Sequence, residues 1–448
     1  MRKRFLILAC ACGALLSAAE PAKKVFPYAY KQEDLANGLR LVTIPTDYPN
    51  LVSVYIVVQT GSRNEVEAGK SGFAHLFEHL MFRGTKANPP AQYQAAIRTA
   101  GAAQNAYTTD DYTAYHTTFS KEDLPQILAL EADRFQHLEY TQDMFKTETL
   151  AVLGEYNKNS ANPMSKMFEV LRARAFQEHT YRHTTMGFLK DIQDFPNEYE
   201  YSRQFFDRYY RPEYTTIIVA GDVEPKQVRA MVDKDWGAWK RGNYKAAISA
   251  EPPQEGPRTG EVKWPVATLP WVLVAYRVPG FSDTQNDTAA LDALSYLAFS
   301  QSSELYQKLV IQEQKADAFG AQNGDHVDPY LFAIFARVKK AADMDAVDLA
   351  ILATVQQFAE TPVDAVKLER VKENLRYKFA LGLNNSEAIA GTVARFVALK
   401  RTPETINNVF DLYAGLTAAD IQRVAKKYLT ERNRTTVTLV GTAVGAAQ

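Results

Sequence analysis

Apolar positions recur along this chain in two different periods. The runs GLRLVTIPTD at 38–47 and LVSVYIVVQTGS at 51–62 are rich in Val, Ile and Thr and are closed by turn residues, which predicts strands. Helical spacing then takes over and predicts helices over 71–82, 91–100, 121–137, 142–159 and 164–176. Among them, AQNAYTTDDYTAYHTTF at 103–119 is polar and rich in Thr and Tyr, and predicts a pair of strands. Strands and helices mix without the regular β-then-α alternation of a doubly wound sheet, so the expected class is α+β.

A related pattern occurs twice, in FFDRYYRPEYTTIIVAGDVE at 205–224 and VAKKYLTERNRTTVTLVGTAV at 424–444. In each, a helix ends in an aromatic residue, a polar turn follows, and a β-branched run stops at a glycine, Gly221 or Gly441. The two copies lie about 220 residues apart, which reads as an internal duplication. Between them KAAISAEPPQEGPRTGEV, 245–262, combines Pro, Gly, Ala and charge without apolar periodicity and is expected to be an exposed linker. The expected organisation is therefore an N-terminal domain at 20–244 and a homologous C-terminal domain at 263–448, each a mostly antiparallel sheet packed with helices. At 448 residues and 46% hydrophobic, the chain has material for more than one core.

The start, MRKRFLILACACGALLSAAE, has three cations, an apolar run from Phe5 to about Leu16 and small residues at Ser17, Ala18 and Ala19. It reads as a secretory signal peptide, 1–19, cleaved after Ala19; a membrane anchor fits less well because the run falls short of the roughly 20 residues needed to span a bilayer. Export to the periplasm is expected, with lipid modification at Cys12 as the alternative fate. Both cysteines, Cys10 and Cys12, lie in this segment, so the mature protein is expected to rest on packing without disulfides. Loss of Arg2, Lys3 and Arg4 moves the formal charge from -1 to -4. With 51 basic against 52 acidic residues there is no excess to neutralise a phosphate backbone, which argues against nucleic acid as a partner.

The chemistry concentrates in SGFAHLFEHLMFRGT, 71–85. On a helix His75, Glu78 and His79 share one flank, while Phe73, Leu76, Phe77, Leu80 and Met81 cover the other faces. A helix apolar nearly all round is buried, and burying two imidazoles and a carboxylate without partners costs several kcal/mol. Either a His/Glu hydrogen-bond cluster in a core or a divalent metal, most plausibly zinc, satisfies them. The order H-x-x-E-H is the inverse zinc-peptidase signature, and such a site needs a third ligand from elsewhere. Glu155 is the candidate, with Glu148 two turns before it on the same helix face.

These residues, together with GSRNE at 61–65, NAYTTDDYTAYH at 105–116, ALEADRF at 129–135, HTYRHTTMG at 179–187 and YYRPEYTTIIVAGDV at 209–223, make the chain resemble the pitrilysin and insulinase metallopeptidases, especially the branch of mitochondrial processing peptidase and its bacterial relatives. The resemblance covers nearly the whole mature chain. In that family the third zinc ligand is a glutamate at the spacing that separates Glu155 from His79, 76 positions. It implies one Zn2+ per chain on His75, His79 and Glu155, Glu78 as the catalytic residue that activates the bound water, and two domains forming a clamshell half around an enclosed chamber. By the same resemblance Glu148 orients a ligating histidine, and Asn105 and Ala106 line the substrate cleft, where an extended peptide adds to a strand edge. His116, His137, His179, His183 and His326 lack partners at ligand spacing and are expected to be structural.

The match fails in SSELYQKLVIQEQKADAFGA, 302–321, where active relatives carry an Arg and a Tyr that reach the substrate. Gln312 and Ala318 occupy those places, and no arginine lies between Arg277 and Arg337. The resemblance therefore implies a zinc endopeptidase subunit acting on peptides and paired with a homologous partner that supplies the Arg and Tyr. A non-catalytic scaffold subunit of the same family is the alternative.

Overall fold

Strand-forming runs assemble into two sheets in the computed structural model, which describes residues 24–442. The expected signal peptide, 1–19, with Cys10 and Cys12, lies outside the described residues. The first sheet contains β1 (Lys31–Asp34), β2 (Arg40–Pro45), β3 (Leu51–Val58), β4 (Ala103–Thr108), β5 (Thr113–Ser120) and β6 (Thr215–Gly221), in the order β1-β2-β6-β3-β5-β4. The second contains β7 (Arg258–Trp264), β8 (Trp271–Val278), β9 (Ala316–Asn323), β10 (Tyr330–Val338) and β11 (Arg434–Gly441), in the order β7-β11-β8-β10-β9. Only β2/β6 and β7/β11 run parallel; the other pairs are antiparallel. Apart from β1, the two sheets share one topology, in which the last strand of each half inserts between its first two. A crossover of that kind recurring in both halves is the structural counterpart of the duplicated pattern at 205–224 and 424–444, and the fold is α+β in both.

The helices repeat as well. The N-terminal half carries α1 (Phe73–Leu80), α2 (Pro90–Thr99), α3 (Leu124–His137), α4 (Gln142–Ser160), α5 (Pro163–Ala175), α6 (Leu189–Asp194), α7 (Tyr199–Tyr209) and α8 (Pro225–Trp236). The C-terminal half carries α9 (Asp287–Phe299), the short α10 (Glu304–Tyr306), α11 (Met344–Glu360), α12 (Ala365–Gly382), α13 (Ser386–Lys400), α14 (Glu404–Gly415) and α15 (Ala418–Tyr428). By order along the chain, α9 takes the place of α1 and α12 that of α4. None of the described helices is long and apolar enough to cross a membrane.

Each half lays its fifth helix on the other half's sheet. Ile389, Ala390, Val393 and Val397 of α13 pack on Val42, Ile44, Tyr55, Val57 and Ile218 of the first sheet. Met167, Leu171 and Ala175 of α5 pack on Val262, Leu273, Ala275, Val437 and Leu439 of the second. Strand β3 is thus covered on both faces, which is why Val52–Val58 is a nearly continuous apolar run without alternation. Gly391 lets α13 come this close: a Cβ there would sit 2.9 Å from the Tyr55 hydroxyl.

The segment expected as an exposed linker, 245–262, differs from that reading in two ways. Arg258–Val262 belongs to β7, paired with β11, so the irregular stretch ends earlier. The remainder is fastened down. The Glu251 carboxylate accepts from the backbone N–H groups of Gln177, Glu178 and His179 and lies 3.5 Å from Arg277, and the Gln254 amide donates to the Gly256 and Arg434 carbonyls. Sequence periodicity misses such a strap because its fixed points are single polar contacts without a repeating apolar face.

Candidate functional site

Helix α1 is held at its start by a carboxyl group and along its length by aromatics. Glu65, fully buried, accepts the N–H groups of Gly72 at 2.6 Å and Ala74 at 2.7 Å, satisfying donors of the first turn, while burial pushes its pKa well up. Phe73 packs on Phe195, Tyr201 and Phe205, and Phe77 stacks on Phe205. With those faces anchored, His75, Glu78 and His79 share the remaining flank, which faces α4. Helix α4 starts at the Thr141 cap, whose hydroxyl accepts from the Met144 N–H, and it brings Glu148 and Glu155 to the same place.

There the Nε2 atoms of both histidines face one carboxylate oxygen. Glu155 Oε2 lies 3.6 Å from His75 Nε2 and 3.4 Å from His79 Nε2, and the three donor atoms lie within 4.8 Å of one another. Three donors at about 2.0–2.2 Å from a tetrahedral zinc are spaced about 3.4 Å apart, so the donor set and its spacing fit the ion. No other group of His, Cys, Asp and Glu among the described residues has that arrangement. The other His75 ring nitrogen, Nδ1, is buried without a hydrogen-bond partner among the described residues.

The surroundings set the protonation of each group. Burial lowers the His75 pKa to about 4, with the His79 charge acting in the same direction and Glu155 opposing; the imidazole is held neutral, the form that binds a metal. His79 is pushed up, first by the Glu148 carboxylate, whose Oε2 lies 3.5 Å from His79 Nδ1. Burial pushes Glu78 up, opposed by the Thr108 hydroxyl, which donates to Glu78 Oε2 at 2.7 Å, and by His79.

Every residue expected at the zinc centre therefore converges. Glu148, buried, contacts His79 on one oxygen and Arg83 on the other. Asn105 and Ala106 lie on β4, which among the described strands pairs only with β5 and so presents a free edge. Ala106 is buried toward α1, whereas Asn105 is exposed and its side-chain oxygen accepts from the Ala106 N–H. Two residues escaped the sequence reading. Thr108 shares the inward face of β4 with Ala106 by the two-residue strand period, and Arg83 follows His79 at helical spacing; both signals were present, but neither residue is a ligand type.

In the C-terminal half, Gln312 is the exposed last residue of a π-helical segment, Gln307–Gln312, after α10, and Ala318 sits on edge strand β9. Arg337, the arginine that follows them in sequence, is committed to Asp317 at 2.7 Å and to the face of Trp271. A cavity of about 1400 Å³ lies between α9, α12, α13 and β9, lined among others by Asp292, Tyr296, Phe319, Lys367 and Arg395. No residue of the His75 cluster borders it. Of the histidines expected to be structural, His116 stacks on Tyr55 and His137 pairs with Asp133. His179 and His326 pair with carboxylates across the two halves, and His183 is buried beside Glu65.

Comparison with known proteins gives family matches in both halves of the chain. Residues 40–188 match the family described as insulinase (peptidase family M16), and residues 198–375 match the peptidase M16 inactive domain. The chain is similar to the zinc protease PqqE of Helicobacter pylori, 29% identical over 98% of both chains. It is also similar to the probable mitochondrial-processing peptidase subunit beta of Schizosaccharomyces pombe, 26% identical over 92% of this chain and 91% of that one. The crystal structure of a protease from Helicobacter pylori superposes with a TM-score of 0.86 at 29% identity, covering 92% of this chain and 99% of that one.

Proposed function

The chain belongs to the insulinase family of peptidases, and from that premise we propose that it is a zinc-dependent endopeptidase subunit whose centre is His75, His79 and Glu155, with Glu78 as general base. The observation that carries this reading is the convergence of both Nε2 atoms on one Glu155 oxygen at zinc-compatible spacing. Zinc bound there supplies Lewis acidity and a water whose pKa falls toward neutrality. This chain's residues do the rest. Glu78 accepts a proton and returns it to the leaving amine, and its raised pKa moves it toward the value such a shuttle needs. Glu148 holds His79 through Nδ1 so that Nε2 points at the metal position, and Arg83 holds Glu148.

A peptide in extended form adds to the free edge of β4 beside α1, at Asn105 and Ala106. Because Gln312 and Ala318 offer neither the Arg nor the Tyr of active relatives, a homologous partner subunit contributes those groups and closes the chamber. The N-terminal segment 1–19 directs export, placing the enzyme in the periplasm. The domains divide at the strap after residue 244.

Glu78→Gln keeps shape and removes the base. Zinc is expected to stay, and peptide hydrolysis to fall at least about a hundredfold, read by zinc content and turnover of a quenched peptide with partner present. Full turnover by Glu78→Gln would remove Glu78 from the mechanism.

A further inference from the structure

Strand β4 carries the Thr108 hydroxyl that donates to Glu78, yet it hangs on the sheet through β5 alone. What fixes its far end is the turn Thr109–Tyr112, and that turn is gripped from the other half of the chain. His326 Nε2 donates to Asp110 Oδ2 at 3.1 Å. The Val327 N–H donates to Asp111 Oδ2 at 3.2 Å. Asp328 pairs with Arg63 at 2.6 Å and His179 at 2.9 Å, and its N–H reaches the Tyr181 hydroxyl, which itself donates to Asp111 Oδ1 at 2.5 Å. Three consecutive residues of the β9–β10 loop thus hold two consecutive acids of the β4–β5 turn, directly or through Tyr181.

From the N-terminal side the same turn is backed by Arg172 on Asp110, by the Ser62 hydroxyl on Asp110 Oδ1 at 2.8 Å, and by the Arg63 N–H on the Asp110 carbonyl at 2.7 Å. The seat is tight enough that a Cβ on Gly61 would meet the Thr109 carbonyl oxygen at 2.4 Å. Asp110, Asp111, Arg172 and Tyr181 are all buried. Buried charge-assisted bonds of this kind fix geometry more firmly than exposed ones. The loop supplying them is itself held: His326 stacks on Tyr330 with centroids 3.5 Å apart, and its carbonyl accepts from the Phe281 N–H at 2.7 Å.

We propose that His326, with Val327 and Asp328, is a positioning element of the catalytic centre: the C-terminal half grips Asp110 and Asp111, and so holds the Thr108 hydroxyl on Glu78. The catalytic consequence rests on the peptidase reading above; the grip itself does not. The half of the chain without its own H-x-x-E-H motif then has a role in the reaction carried by the other half, through a contact at the turn that follows Thr108.

Two measurements on the full mature chain test this separately. In the metal-free protein, hydrogen exchange at the Asp111 and Tyr112 amides, both bonded to the Thr109 hydroxyl, is expected to rise about tenfold in His326→Ala, while β3 and β6 stay protected. His326→Leu covers the case in which the alanine variant does not fold, and His326→Gln, which keeps a donor for Asp110, restores protection. In the zinc-loaded protein with partner, His326→Ala is expected to lower kcat about tenfold at unchanged KM and zinc content, and to add nothing to Thr108→Val, because both changes loosen the same hydrogen bond. Unchanged exchange at the turn, or kinetic effects of His326 and Thr108 that multiply, would overturn the proposal. An inert wild-type protein would refute the peptidase reading instead, and the exchange result would still decide whether the grip exists.

Discussion

Helices α1 and α9 open the helical layer of the two halves and enter the same topology, yet they treat buried polarity in opposite ways. On α1, His75, Glu78 and His79 face a carboxylate from α4, and His75 Nδ1 is left without a partner. On α9, one carboxyl, Asp292, is half-buried with both oxygens engaged, accepting from Asn323 at 2.8 Å and from the Tyr413 hydroxyl at 2.6 Å. The α1 groups are gathered at the spacing of metal ligands, both histidine Nε2 atoms lying 3.4–3.6 Å from one Glu155 oxygen, whereas the Asp292 carboxyl is satisfied by hydrogen bonds from the chain itself.

The comparison breaks most visibly in turnover. If the C-terminal half lacks the donors that active relatives supply, the chain alone is expected to hydrolyse peptides about 100- to 1000-fold more slowly than with a homologous partner, the loss associated with one missing oxyanion donor. Assaying the purified chain with and without that partner checks it. Full activity from the isolated chain would mean that its own second half supplies the groups.

A smaller effect sharpens the comparison through pH. His75 has a folded pKa of about 4, below its unfolded value of 6.5, so in metal-free protein its contribution is fully present above pH 6.5 and is lost as pH falls toward 4, on the order of 3 kcal/mol at most. Asp292 has the opposite sign. Burial and the Asp325 carboxylate raise its pKa, so the folded state holds a proton the unfolded state has released, and stability falls as pH rises above the unfolded value near 3.8. Urea denaturation across pH is expected to lose its acid slope in His75→Ala and its opposite slope in Asp292→Asn. A shared response to both substitutions would erase the distinction between the two helices.

The halves are most alike where they exchange their fifth helices, and a substitution there gives the smallest shift. Gly391→Ala pushes a methyl group toward the Tyr55 hydroxyl and is expected to cost about 1–3 kcal/mol, measured by thermal unfolding. No change would mean that α13 has room against β3.

Much of this was legible from residue order alone. Helical periodicity placed α1 to α5, and β-branched and aromatic composition bounded by turn residues placed β2 to β5, within a few residues of their observed bounds. The grouping of His75, His79 and Glu155 was legible because helical spacing puts His75, Glu78 and His79 on one flank, and because the 76-residue interval to Glu155 matched a resembling family. The reciprocal placement of α5 and α13 was not legible, since periodicity marks a face as apolar without saying which sheet covers it. Nor was β7, hidden in a segment rich in Pro, Gly and charge whose pairing depends on β11, far away in sequence. His179 and His326 read as structural, and their carboxylate partners across the halves became visible only in three dimensions.

The most direct test is elemental analysis of the purified mature protein after zinc loading and desalting. About one zinc per chain is expected in the wild type and in Asp292→Asn, and essentially none in His79→Ala. Equal zinc in His79→Ala and the wild type would contradict the assignment of the metal to α1 and α4.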